Sequence, residues 1–97
     1  MREVLWTKQA QADLAAIRAF ISQDSPHFAA VVIARLIAAT DRFIPFPESG
    51  RTVPEFEDPF VREIVCRPYR IVYRLVGQAE VHVLTVHHAS KSFPEKL

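Results

Sequence analysis

The chain has 97 residues, 49% of them hydrophobic and only 2 of them glycine, and its formal net charge is +1. That composition excludes a disordered or collagen-like chain and points to one small domain with a packed core. The single cysteine, Cys66, excludes an internal disulfide, cannot build a zinc site, and reads as a small buried hydrophobe in a strand.

The chain opens Met1-Arg2-Glu3-Val4-Leu5-Trp6, without the apolar core of a signal peptide. Glu3 to Thr7 is short and apolar-rich and is expected to be a first strand, with Trp6 packed against the sheet or a helix. Thr7 can cap a helix from about Lys8 to about Ser22. Its apolar residues Ala10, Leu14, Ile17 and Ile21 fall on one helical face, which Phe20 widens. Asp24-Ser25-Pro26 breaks and restarts the chain. Ser25 suits an N-cap, and Pro26 suits the first helical position, where its missing N–H costs nothing. A second helix is expected to run to about Ile44, with Phe28, Val32, Leu36, Ala39 and Phe43 on one stripe and Ile33, Ile37, Thr40 and Ile44 beside it. A helix this apolar is wrapped by neighbours, and the short link makes an antiparallel hairpin. The stretch from Phe28 to Ile44 is interrupted by Arg35, Asp41 and Arg42, so it does not read as a membrane span. A cytoplasmic protein without membrane contact is expected.

Pro45, Pro47, Gly50 and Pro54 mark a loop. Three strand-like runs follow: Val61 to Arg67, Tyr69 to Val76, and Glu80 to His87, with Gly77-Gln78 as a turn between the last two. Pro68 belongs at a strand start or connection, since it cannot donate to a ladder. The connections are short enough for an antiparallel meander. The expected order is β-α-α-β-β-β, an α+β fold in which a helical hairpin covers one face of a small, mainly antiparallel sheet across residues 1–97. The other face, or the groove between sheet and helices, is left for function or a partner.

Charge is local. Arg62, Arg67, Arg70 and Arg74 follow closely on Glu55, Glu57 and Asp58. Such a patch can meet an acidic partner or a phosphate backbone. Strand alternation puts Arg70 and Arg74 on one side, and Arg62, Arg70, Arg74, His88 and Lys91 are expected to gather at one end or face of the sheet. Cleavage of RNA through its 2′-OH needs a base, an acid and cations around the phosphorane. Arg62, Arg70, Arg74 and Lys91 are candidate cations, His87 or His88 candidate acid or base, and Tyr69 or Phe93 candidate base-stacking rings. Structural roles compete with each of these. Arg62 can pair with a helix carboxylate such as Asp13, Tyr69 and Tyr73 share a face with Ile71 and Leu75 as core, and His88 can make a structural hydrogen bond. His27 and His82 read as surface residues. The four histidines lack the spacing of metal ligands, so no metal or cofactor is expected.

Several segments, taken together and in order, resemble the RelE/ParE superfamily of toxins from type II toxin–antitoxin systems. They are Val4-Leu5-Trp6-Thr7; Ala10, Ala12-Asp13-Leu14 and Ile17; Ser25-Pro26 with Ala29-Ala30; Phe46 to Arg51 with Pro54-Glu55; Arg62-Glu63; Tyr69 to Arg74; and Val83 to Val86 with His88 and Lys91. The resemblance implies a cognate antitoxin and one of two targets: DNA gyrase for ParE-like members, or mRNA in the ribosome for RelE-like endoribonucleases. The acidic loop before the strands, Lys91 where many relatives carry arginine, and Phe93, which can do no acid–base work, fit the ParE-like branch better. A chain that only binds its antitoxin, without toxicity, is a third reading. Candidate contacts to antitoxin or target are Phe28, Leu36, Arg51, Arg62, Arg70, Arg74, His88 and Lys91.

Overall fold

Residues 2–91 are described by a computed structural model of the chain. Strand β1 (Glu3–Trp6) leads into helix α1 (Lys8–Ser22) and helix α2 (Pro26–Ala39). A 3-10 turn covers Thr40–Phe43, and strands β2 (Arg51–Thr52), β3 (Val61–Cys66), β4 (Tyr69–Val76) and β5 (Glu80–His88) complete the chain. The expected α+β hairpin-on-sheet architecture is present. The sheet order is β1-β5-β4-β3-β2. β2, β3, β4 and β5 pair antiparallel, whereas β1 lies parallel to β5. The parallel pair is joined through the helical hairpin and β2 to β4, a connection far longer than a tight turn, as parallel strands require.

Local chemistry fixes the helix starts. The Thr7 hydroxyl accepts from Ala10 N at 3.1 Å and donates to Leu84 O, so one side chain both caps α1 and ties it to β5. Ser25 caps α2 by accepting from Phe28 N at 3.1 Å, with Pro26 in the first turn. Asp13 adds a second tie, accepting from Val86 N at 3.0 Å and from the Thr85 hydroxyl.

Two expectations about boundaries are corrected. α2 ends at Ala39 rather than near Ile44, because Thr40 turns its hydroxyl back onto Ile37 O at 2.7 Å and the chain tightens into the 3-10 turn. Part of the expected loop forms β2, held at the sheet edge by register with Arg62 and Glu63.

The main core lies between helices and sheet. Ala10, Val32, Leu36, Phe43, Ile64, Ile71, Tyr73, Val81 and Val83 are buried there, with Leu14, Ile17, Ile21 and Trp6 packed against them. Phe43 stacks on Tyr73 at 3.9 Å between ring centroids. Tyr73 sends its hydroxyl to Pro47 O at 2.8 Å and accepts from Gly50 N at 2.9 Å. Gly50 must be glycine here, since a Cβ would meet Glu63 O at 2.5 Å and the Tyr73 hydroxyl oxygen at 2.7 Å. A smaller core of Val53, Val61 and Val72, with Phe56 and Leu84, forms on the face without helices.

Candidate functional site

Strand register decides which charged residues meet. Glu63 lies opposite Val72, and Val65 opposite Arg70, so Glu63 and Arg70 share the helix-free face. Arg74 stands two residues from Val72 on the same side and is paired with Val61 of the smaller core. The Glu63 side chain is fully buried. It takes Arg51 Nε on one oxygen at 2.7 Å and Arg70 Nε on the other. Arg70, only 13% exposed, also grips Glu55 with both terminal nitrogens at 2.9 Å, a bidentate fork. Arg74 reaches Asp58 at 3.1 Å. These contacts perturb titration in consistent directions. Glu55 is held below the usual carboxylate range chiefly by its hydrogen bonds from Arg70. Asp58 is lowered first by the Phe60 N–H and then by Arg74. Arg70 is raised above its already high value by Glu55 and Glu63.

Arg62 goes elsewhere. Its register partner is Tyr73, on the helix-covered side, and it donates to Gly50 O at 3.0 Å. Its Nε is buried without a hydrogen-bond partner among the described residues. The pairing of Arg62 with Asp13 is therefore corrected: Asp13 is taken by the β5 backbone and Thr85. The gathering of Arg62, Arg70, Arg74, His88 and Lys91 at one place is corrected as well. His88 lies opposite Tyr69 on the helix-covered side, with its ring edge-on to that tyrosine at 5.4 Å, while Arg70 and Arg74 face the other way.

His88 and Lys91 instead border a groove of about 510 Å³ between α1 and the end of β5. Ile17, Phe20 and Tyr69 provide its apolar part. His88 Nδ1 accepts from Ser90 N at 3.1 Å and contacts the Ser90 hydroxyl at 2.7 Å, so the neutral ring carries its proton on Nε2. His87 Nε2 lies 2.9 Å from Lys91 O. These bonds shape the tight turn after β5. Tyr69 is mostly buried, as the core reading has it. Phe93 lies outside the described residues.

The two apolar contact candidates part company. Phe28 is 53% exposed, and Phe20 near it in the hairpin is 72% exposed. Leu36 is fully buried and leaves the list of partner contacts: about two helical turns further along, the stripe has rotated into the core. Arg51 is exposed at the sheet edge apart from its bond to Glu63. Glu63, Glu55 and Asp58 were not singled out as site residues by sequence, although they decide what the arginines can do. The available signal was the acidic cluster directly before the basic strands, with Glu63 alternating among valines.

Residues 4–93 match the family model described as the ParE toxin of the type II toxin-antitoxin system, parDE. The chain belongs to the ParE toxin family. Toxin RelE2 of Caulobacter vibrioides is 36% identical over 91 residues, covering 94% of this chain and 99% of that protein. Two solved structures share the fold of this ParE-family chain. The chromosomal ParDE TA system from P. aeruginosa has a TM-score of 0.76 at 24% identity, with 93% of this chain and 98% of that one covered. The toxin–antitoxin complex RelBE2 from Mycobacterium tuberculosis has a TM-score of 0.59 at 21% identity, with 90% and 96% covered. The ParE-family chain is thus a type II toxin of the RelE/ParE superfamily. No helix among its described residues is long and apolar enough to cross a membrane.

Proposed function

We propose that this toxin acts by binding, as a ParE-like inhibitor of DNA gyrase, and that a cognate antitoxin neutralises it. One observation carries the choice of target: the cations are dispersed and occupied. A ribonuclease centre needs its acid, base and cations within reach of one phosphorus, because most of its rate comes from placing them there in advance. In this chain Arg70 and Arg74 are engaged by carboxylates on the helix-free face, while His88 and Lys91 border a groove on the other side. That separation supports a binding surface rather than a cleavage site.

The test uses the purified toxin in two assays, gyrase supercoiling and mRNA integrity on translating ribosomes. Loss of supercoiling with intact mRNA is expected. Cleaved mRNA with normal supercoiling would overturn the reading and favour the RelE-like alternative. No effect in either would leave a module that only binds antitoxin.

The groove between α1 and β5, lined in part by exposed Phe20, supports the antitoxin half of the reading, and exposed Phe28 on α2 is a further apolar candidate. The groove offers apolar surface beside the basic Lys91, which suits an acidic amphipathic segment that folds as it binds. The related P. aeruginosa and M. tuberculosis proteins are described as a ParDE TA system and a toxin–antitoxin complex, in keeping with such a partner. Titration with the small protein encoded next to this gene tests it. Binding is expected, with Phe28→Ala speeding dissociation and added salt mainly slowing association.

A further inference from the structure

Helix α2 presents an apolar face outward. Between Pro26 and Ala39 its one formal charge is Arg35. Helix α1, by contrast, turns Lys8, Gln11 and Arg18 to solvent. On α2, Val31 and Ile37 are 45% and 44% exposed, and Ala30, Ala34 and Ala38 are exposed beside them. At about 100° per residue these side chains all fall within about 60° of Ala34, on one stripe. An exposed apolar stripe of this kind marks an interaction surface.

The stripe is also its own complement. Val31 and Ile37 lie three residues either side of Ala34, Ala30 and Ala38 four, and the exposed His27 and Asp41 seven. An antiparallel two-fold contact centred on Ala34 therefore brings each residue level with its counterpart on a second copy. Val31 and Ala38 share one flank of the stripe, and Ile37 and Ala30 the other. A two-fold axis lying across the two helices keeps each flank on its own side. Val31 then falls on Ala38 of the second copy, and Ile37 on its Ala30, so each large side chain meets a small one. The alanines let the helix axes approach to about 8 Å. At both ends His27, which can donate from a ring nitrogen, faces the carboxylate acceptor of Asp41. We infer that the outward face of α2 is a self-association surface, on which a second copy of this chain packs antiparallel about Ala34. A face shaped for an unrelated chain has no need to complement itself. The groove between α1 and β5 is lined by no residue of α2, so a second copy and an antitoxin can be held together. The inference does not rest on the gyrase-binding reading. Arg35 stays at the rim in water, about 100° from the centre of the stripe and beside its own symmetry mate. With that repulsion and a contact one helix wide, the dimer belongs to the weak, concentration-dependent class.

Sedimentation velocity of the full chain over a range of concentrations should show the mass rising from monomer toward dimer. Ala34→Glu sets two like charges against each other on the axis and should raise the dissociation constant by about tenfold or more. Ala12→Glu, an equal change of charge at an exposed position of α1, should leave it unchanged. Exchange of charge tests the register. His27→Glu places a carboxylate against Asp41 of the second copy and should weaken the dimer, and adding Asp41→Lys should restore it. A helix that is merely sticky would show no such recovery, and this pair keeps the test open should Ala34→Glu fail to fold. The small protein encoded next to this gene should bind Ala34→Glu as tightly as the parent chain. A mass that stays monomeric throughout, a dimer that Ala34→Glu leaves intact, or an exchange without recovery would overturn the inference. Loss of binding to the adjacent gene product in Ala34→Glu would assign the face to that partner and overturn it too.

Discussion

The two faces of this sheet are closed by different means. On one, a helical hairpin buries a continuous apolar core in which Leu36, Phe43, Ile71 and Tyr73 are fully enclosed. On the other, a short loop lays Val53 and Phe56 against Val61, Val72 and Leu84 and finishes the job with charge, around the buried carboxylate of Glu63. Apolar burial is non-directional and scales with area, so the helix face is strong and tolerant of register detail. A charge network depends on each partner being present and in place, so the open face is the more easily switched.

The largest effect is expected on the helix face. Leu36→Ala should cost about 2–5 kcal/mol of stability in urea unfolding, by lost burial and a cavity, whereas Phe28→Ala, mostly exposed, should stay within about 0.5 kcal/mol. Similar losses for both would mean that the two residues do not divide between core and surface.

Next comes the open face. Glu63→Ala takes the buried carboxylate away from the mostly buried Arg70 and should cost about 3 kcal/mol, the lower end for breaking a buried pair. Arg51→Ala, on the exposed side of the same carboxylate, should cost no more than about 1 kcal/mol. Equal costs would show that Glu63 is not organised around Arg70.

Tyr73 joins the two regimes, an aromatic core ring with a polar end. Tyr73→Phe should cost about 1–2 kcal/mol at neutral pH, since it leaves the Gly50 N–H buried without its acceptor. Burial raises the pKa of this phenol above its ordinary value. Its contribution is therefore fully present below the unfolded value of about 10 and is lost as pH rises through the higher folded value. Urea midpoints measured across that alkaline range should fall less steeply in Tyr73→Phe than in the parent chain.

Much of the helix face was legible because a helix writes its buried stripe into the sequence. Ala10, Leu14, Ile17 and Ile21 repeat at helical spacing, and Thr7 and Ser25-Pro26 announce the starts. The open face was not legible in the same way. Alternation within β4 relates Arg70 to Arg74, but relating either to Arg62 needs the β3–β4 register, which pairs Arg62 with Tyr73 and turns it away. A two-residue strand such as Arg51–Thr52 has no period at all; its place is set by Glu63 and Arg62 across the sheet. β1 is likewise too short to state that its partner is β5 or that the pairing is parallel. Leu36 and Phe28 show the limit even in a helix, since a stripe drawn at spacings of four drifts around the axis and includes residues on both sides of the core boundary.

The smallest effect is the acid response of the loop between β2 and β3, and its sign follows from the ion pairs. Glu55 and Asp58 both titrate below the usual carboxylate range in the folded chain, Glu55 because Arg70 donates to it and Asp58 because the Phe60 N–H and then Arg74 do. Carboxylates lowered on folding add stability that is present above their unfolded values, about 4, and is lost as pH falls through the folded ones. These ion pairs should therefore hold at neutral pH and weaken below about pH 4. Both side chains reach solvent, so the change in global unfolding is small, and a local probe is the sharper one. Amide exchange at Phe60 and Val61, whose N–H groups bond to Asp58, should speed up as pH falls through this range, after correction for intrinsic exchange. The same amides in Glu55→Gln/Asp58→Asn should exchange fast already at neutral pH and show little further change. Amides of Val81 and Val83, in the enclosed part of β5, should stay protected throughout. If all of these amides loosened together on acidification, the loop would be part of one cooperative unit with the helix face and the contrast between the two faces would fail.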